Sequence, residues 1–310
     1  MMRPAILIHG PTASGKTDLS IQIARKINGE IVNADSMQVY RELNVISARP
    51  SEAEMDGVAH HLFGHVPVSE RFSTGEWLEQ ARPVIEDIQK RGKTAVVVGG
   101  TGLYLLALTQ GLSEIPPVPE ETRHEVLEIA KADGVRGLKI RLQSVDPDAA
   151  ARIDDNDRQR LSRAYEVWLA TGKPLTSFQN QRSKPVLNND EWLGVALTPP
   201  RAKLYARIDK RFEGMLMEGA MEEARKLVAL GIDPELPAMK AHGMPWLSAF
   251  IRGEIDANTA AENAKRDTRR YAKRQFTWIG RQFPFWPRIP SAELSVRMRV
   301  VSALYKEVDR

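Results

Sequence analysis

Gly10-Pro11-Thr12-Ala13-Ser14-Gly15-Lys16-Thr17 satisfies G-x-x-x-x-G-K-[ST] at every fixed position. Such a loop turns successive backbone N–H groups toward one point and adds the positive end of the helix that follows. Lys16 contributes a full charge, and Thr17 a hydroxyl able to hold Mg²⁺. The chemistry is a grip on a di- or triphosphate, and the loop alone does not single out ATP. A carboxylate should stand nearby. Asp35 closes Glu30-Ile-Val-Asn-Ala-Asp35 and is the obvious strand-end acid; it suits a metal ligand, a general base, or a cap on the next turn. An ordinary NTPase also needs a second strand-end acid to hold metal and water. Here Ala95-Val-Val-Val98 runs into Gly99-Gly100-Thr101-Gly102, which offers a hydroxyl and no acid.

Charge gathers elsewhere. Between Lys265 and Arg288 lie eight basic residues and one acid, a net of +7 in a chain whose total is +4. The same window holds six aromatic residues. On a helical wheel the six basic side chains of 265–274, among them Arg269, Arg270, Lys273 and Arg274, share one half of the circumference. Ala264, Thr268, Tyr271, Gln275 and Ile279 fill the other. A single charged helix is ordinarily a solvated face. Charge this dense, beside aromatics, favours a track for a polyanion. Lys203, Arg207 and Arg211 are spaced four apart on a second helix, opposite Leu204, Ile208 and Phe212, and by themselves read as solvated. His60, His61 and His65 have no standard metal-site spacing.

Strand and helix patterns alternate from Ala5 to Val98. Ala5–His9, Glu30–Ala34 and Thr94–Val98 read as strands, and 17–28 as a helix between the first two. Ser73 and Glu76 form a capping-box signature for another helix, which Pro83 should kink or start later. Alternation of this kind predicts an α/β fold: a parallel, doubly wound, P-loop NTPase-like sheet. After Gly111 the strand signals fade, and Glu120–Asp133, Arg136–Val145 and Asp157–Thr171 read as helices. Trp192–Leu197 returns as a strand, with further helices over 201–218, 220–230, 259–281 and 291–308. The expected organisation is a catalytic core of 1–111 and 191–310 carrying a helical insertion at 112–190. With 310 residues, 42% of them hydrophobic, the chain can build both. It contains no cysteine, which excludes disulfides, a thiol nucleophile and thiolate metal sites. No apolar run approaches the roughly 18 residues of a membrane helix, so a cytoplasmic protein without membrane partners is expected.

These motifs, in this order, resemble one family. Gly10–Thr17, Asn33-Ala-Asp35-Ser36-Met37-Gln38-Val-Tyr40 and Val98-Gly-Gly-Thr101-Gly-Leu-Tyr104 are followed by Asp146-Pro-Asp-Ala-Ala-Ala-Arg152. Then come Asn156-Asp-Arg-Gln159-Arg160-Leu161-Ser162-Arg163, Arg207-Ile-Asp-Lys-Arg211-Phe and Ala272-Lys-Arg-Gln-Phe-Thr-Trp278. The set is similar to the bacterial tRNA dimethylallyltransferase (tRNA isopentenyltransferase) family across nearly the whole chain. The resemblance implies transfer of a dimethylallyl group from its diphosphate to the exocyclic amine of the adenine 3′ of the tRNA anticodon, releasing diphosphate. No γ-phosphate moves, which accounts for the absent second acid. By the same resemblance Asp35 takes the amine proton, while Thr101 and Arg211 steady the leaving diphosphate; the phosphate loop adds Lys16 to the catalytic set and Mg²⁺ as the expected cofactor. Asp35, Ser36, Met37, Gln38, Thr101, Arg123 and the run Gln159, Arg160, Leu161, Ser162 and Arg163 match tRNA-contacting segments. Arg269, Arg270, Lys273 and Arg274 are expected to hold tRNA phosphates. A monomer is expected.

Two segments depart from the family pattern. Ile46-Ser-Ala-Arg49-Pro stands where Thr-Ala-Lys-Pro is usual, and Met239-Lys-Ala-His242-Gly243-Met-Pro-Trp246 replaces a Gly-Tyr element. Two other functions use the same loop. A small-molecule or nucleotide kinase would need no basic aromatic helix, and an ATP-driven RNA-binding protein would show sustained ATP turnover.

Overall fold

The computed structural model describes residues 3–179 and 181–308, which form two compact units. One comprises the chain up to Thr109 and again from Val186; the other is Gln110–Pro185. The inserted unit therefore ends before the expected limit of 190. The amides of Val186 and Leu187 already bond the Leu108 carbonyl of the first unit, at 2.9 and 3.0 Å.

The first unit opens with β1 (Ala5–His9), α1 (Lys16–Ile27), β2 (Gly29–Asn33), α2 (Glu52–Met55) and β3 (His60–His61). Next come α3 (Thr74–Lys90), β4 (Thr94–Gly99) and α4 (Gly102–Gln110). The second unit holds α5 (Glu120–Ala132), α6 (Gly134–Val145), α7 (Pro147–Arg152), α8 (Arg158–Thr171) and α9 (Leu175–Gln179). The first unit resumes with β5 (Trp192–Leu197), α10 (Arg201–Met217), α11 (Ala220–Ala229) and α12 (Met244–Ile251). It finishes with α13 (Ala257–Gln282), β6 (Arg288–Ile289) and α14 (Leu294–Val308). No helix among the described residues is long and apolar enough to cross a membrane.

The strands pair in parallel in the order β3-β2-β4-β1-β5-β6. Parallel strands need crossover helices on both faces, which is why their sequences are apolar without alternation. Ile6, Ile8, Ile31, Val96 and Val195 turn to one face and meet Leu19 and Ile23 of α1 and Val301 and Tyr305 of α14. Leu7, Val32 and Val97 point to the other, where α3 packs on β2 and β4. Ser73 and Glu76 make the expected reciprocal caps at the start of α3. The helix then runs unbroken through Pro83, contrary to a later start. Pro83 and Glu79 both lie on the exposed side, where solvent satisfies the carbonyl that Pro83 leaves unbonded.

A buried charge fastens the edge of this sheet. Glu30 is 4% exposed and accepts from Arg91 at 2.6 and 2.8 Å, Lys93 at 2.6 Å and His61 Nε2 at 2.8 Å. The Arg91 guanidinium above all holds the Glu30 carboxyl far below its ordinary value of 4.5. A depressed carboxylate stabilises the fold above its unfolded pKa and loses that contribution as pH falls toward the folded one. Glu30→Gln should therefore cost about 2 kcal/mol at neutral pH. Thermal melts check it: the gap from wild type must narrow as pH drops below 4.5. The neighbouring histidines have partners of their own, His60 Nδ1 at the Val58 carbonyl (2.8 Å) and His65 Nε2 at Gln80 Oε1 (2.7 Å).

The second unit is all helix around Val126, Leu138, Leu142, Leu161, Ala164 and Val167. Asp157 caps α8 by accepting from the Arg160 N–H, and Gly172 ends it in the left-handed conformation that the stop signal predicts.

Candidate active site

The carboxyl ends of the parallel strands collect the chemistry, as an open α/β sheet directs. β1 delivers the Gly10–Thr17 loop, β2 delivers Asp35 and β4 delivers Thr101. The loop is braced by Gly10 N–H to the Gly99 carbonyl at 3.4 Å and Ser14 N–H to the Pro11 carbonyl at 3.1 Å. Ala13 and Gly15 both take positive φ, 59° and 80°. Such alternation curls intervening amides into an anion-binding concavity. Lys16 begins α1 and is 9% exposed. Burial lowers its pKa to about 8, Asp35 working against that shift and Arg211 with it.

Asp35 fills one of the roles its sequence allows, the cap on the next turn. One carboxylate oxygen caps the Met37 N–H at 3.0 Å, and the Asp35 amide is itself held by Asn33 Oδ1 at 2.8 Å. The same half-buried side chain lines a pocket with Arg211, Thr12 and Ala13. Thr101 Oγ1 accepts from the Ser36 N–H at 2.9 Å and donates to Ser36 Oγ at 3.2 Å. Gly102 follows because α13 presses on it: a β-carbon there would sit 2.2 Å from the Trp278 ring.

That helix enters the site more deeply than its charge pattern suggests. Gln275, 4% exposed, accepts from the Thr12 N–H at 3.0 Å and donates to the Gly100 carbonyl at 2.9 Å. One amide side chain thus ties the phosphate loop to the β4 loop. Tyr271, one turn earlier, lines the pocket beside His242, their rings 4.0 Å apart. Burial raises the pKa of Tyr271 and lowers that of His242 to about 4, so both are neutral at neutral pH. Neither was among the candidates from sequence. His242 lies in the segment that departs from the family pattern, and that departure was its only signal.

Apolar side chains complete the pocket: Ile208, Phe212 and Met215 of α10, with Met37 and Ile46 opposite. Its space is about 630 Å³, counting the open mouth. Arg211, on the same helix, donates to the Ala48 carbonyl at 3.5 Å. Arg211 is half-buried and lines the pocket, whereas Lys203 at the start of the row is exposed, so the solvated reading fails for Arg211 and holds for Lys203. Gln38 is half-buried and gives its amide to the Ser47 and Ala48 carbonyls at 3.1 and 2.8 Å. Thr17 ends the loop half-exposed. Among the described residues no cluster of His, Asp or Glu is placed to cage a metal unaided. A Thr17 hydroxyl beside a phosphate cradle suits Mg²⁺, which commonly takes one protein ligand plus phosphate oxygens.

The basic stripe of α13 is less free than the wheel implies. Lys265 pairs with Glu213 and Glu262, Arg269 with Asp209, and Arg266 and Arg270 with Asp267. Arg288 donates to the Ile279 and Phe283 carbonyls and caps the end of the helix. Lys273 and Arg274 are exposed and form no ion pair among the described residues; Arg274 lies over the Tyr271 ring, 5.6 Å from its centroid.

In the second unit Gln159 and Arg160 are exposed on the first turn of α8, with Ser162 and Arg163 half-buried. Leu161 is a correction. Its side chain is 0% exposed in that unit's core, because position 161 faces α5 and α6, so it has no surface to offer RNA. Arg123 is half-buried, its Nε donating to the Val118 carbonyl at 3.3 Å.

Comparison with known proteins covers nearly all of this architecture. The family model described as IPP transferase matches residues 38–282, stopping short of α14. The tRNA dimethylallyltransferase of Hyphomonas neptunium is 67% identical over 308 residues, 99% of this chain and 98% of that protein. That of Caulobacter sp. strain K31 is 49% identical over 92% of each. Among solved structures, the tRNA isopentenylpyrophosphate transferase of Staphylococcus epidermidis superposes with a TM-score of 0.70 at 33% identity, covering 98% of both chains. A eukaryotic dimethylallyltransferase acting on tRNA gives 0.73 at 30% identity, over 89% of this chain and 70% of that one.

Proposed function

We infer the reaction from one premise: this chain belongs to the IPP transferase family. It transfers the dimethylallyl group of dimethylallyl diphosphate to the exocyclic amine of the adenine 3′ of the anticodon in tRNA. The amine nitrogen bonds to the allylic carbon, the carbon–oxygen bond to diphosphate breaks, and the amine proton leaves to a base. The observation that carries this reading is the meeting of the phosphate loop, Asp35 and Arg211 around one pocket with an apolar wall.

Lys16 and the loop amides hold the diphosphate, and Arg211 adds a second cation where charge develops as the bond breaks. Asp35 lines the same pocket as Arg211, and its carboxylate takes the amine proton. Ile208, Phe212 and Met215 suit the hydrocarbon of the donor. Mg²⁺ would be held by Thr17 and the diphosphate oxygens, neutralising charge on the leaving group. The tRNA is held at Ser36, Met37, Gln38 and Thr101, at Arg123 and the Gln159, Arg160, Ser162 and Arg163 face of α8, and along Arg269, Arg270, Lys273 and Arg274.

Mass spectrometry of tRNA nucleosides after incubation with the protein, Mg²⁺ and dimethylallyl diphosphate tests the reaction. A dimethylallyl adduct on adenosine is expected; sustained ATP hydrolysis without that adduct would overturn it. Within the basic stripe, the unpaired members should matter most for RNA. Lys273→Glu with Arg274→Glu is expected to weaken every tRNA about tenfold or more and flatten the salt dependence of binding. A loss confined to one tRNA, with the salt slope intact, would mean this helix reads sequence instead.

A further inference from the structure

α14 reaches the phosphate loop through a single side chain. Arg297 is 2% exposed. Its Nε donates to the Ser291 carbonyl at 2.7 Å and its Nη1 to the Gly15 carbonyl at 3.3 Å. Nη2 is buried with no partner among the described residues. Gly15 has a φ of 80°, and a β-carbon on it would lie 2.8 Å from Nη1. The guanidinium thus fills the space that a side chain at position 15 would need.

The charge balance is unusual for a buried arginine. Arg297 makes no ion pair with a carboxylate among the described residues. Burial draws its pKa down, Arg207 adds to that, and Asp18 opposes it, yet a guanidinium stays protonated in proteins. Buried cations are ordinarily paired. This one rests on two neutral carbonyls, directly behind a loop built for an anion. Its bond to the Gly15 carbonyl also fixes the peptide whose N–H belongs to Lys16, and a charge on the carbonyl side polarises that N–H toward an acceptor.

We propose that Arg297 is a positioning residue for the diphosphate: it locks the Gly15–Lys16 peptide and lays a buried positive charge behind the phosphate loop, completing an ion balance that the bound anion supplies. The proposal rests on the reading of Gly10–Thr17 as a diphosphate site and makes α14 part of that site. Arg297 touches no reacting atom, so it should govern donor affinity and leave the chemical step alone.

Calorimetric titration of the full chain with inorganic diphosphate and Mg²⁺ tests it, using Arg297→Met and Arg297→Lys. The methionine variant, which keeps much of the packing volume, should bind diphosphate about tenfold or more weakly. The lysine variant, which restores the charge, should stay within about threefold of wild type. For the methionine variant KM for the prenyl donor should rise with kcat at saturating donor within about twofold, and tRNA affinity should not change. Wild-type diphosphate affinity in the methionine variant would overturn the proposal. So would equal losses in both variants, or a parallel fall in tRNA affinity that marks general damage. If wild type itself fails to bind diphosphate, the reading of the loop falls first and this proposal with it.

Discussion

An Asp35→Asn enzyme should turn over about 10²- to 10⁴-fold more slowly than wild type while keeping its tRNA affinity within a few-fold. Asparagine retains the oxygen that accepts from the Met37 N–H, so the turn after β2 survives. What disappears, on the proposed mechanism, is the acceptor for the amine proton. An interaction made only in the transition state lowers kcat and kcat/KM together, and that is the expected pattern. Asp35→Ala removes the cap as well and should add a loss of tRNA binding through the displaced Ser36–Gln38 segment. Single-turnover prenylation of tRNA with each variant separates the two roles. Wild-type rate in the asparagine variant would show that the proton goes elsewhere.

Lys16→Ala should fail differently, losing about 10²- to 10³-fold in kcat/KM for the donor with affinity and rate falling together. Its charge serves the diphosphate both before and during bond breaking. The same lysine makes a prediction about pH. In the free protein burial sets its pKa near 8 rather than the ordinary 10.5, so the cation is lost as pH climbs through 8. Since kcat/KM reports the free enzyme, it should decline there. A bound diphosphate favours the protonated form and moves the pKa back up, so kcat at saturating donor should stay level over the same range. Lys16→Arg, which cannot deprotonate, should abolish the decline. A kcat/KM profile flat across pH 8 in wild type would exclude Lys16 as the charge that captures the donor.

Much of the site is local in sequence and so was legible there. The phosphate loop is a contiguous motif, and Asp35 and Thr101 follow strands whose apolar runs mark them as buried and parallel. What escaped depends on contacts between distant segments. The wheel of α13 displays its basic face, but two of the acids that neutralise it, Asp209 and Glu213, come from α10. Gln275 reads as one polar residue on the inward side; only the packed structure shows it spanning Thr12 and Gly100. Leu161 sits inside a matching segment, yet the period of α8 turns it to the core. Helix α4 gives little periodic signal because Tyr104, Leu105, Ala107 and Leu108 are buried together on most of its circumference.

The interrupted first unit also dictates an order of assembly during synthesis. The inserted unit is one continuous segment whose helices contact neighbours close in sequence, so it can condense early. The sheet cannot. β1, which carries the phosphate loop, lies between β4 and β5, and its Ala5 edge waits for Trp192 before its second side is paired. The face of α1 waits longer still, until Val301 and Tyr305 arrive to cover it. Over that interval the strand with the chemically richest end is also an open edge, the kind of template on which chains join one another. Between the emergence of β4 and that of β5 the nascent chain therefore presents this open edge, and a pause of the ribosome in that window prolongs it.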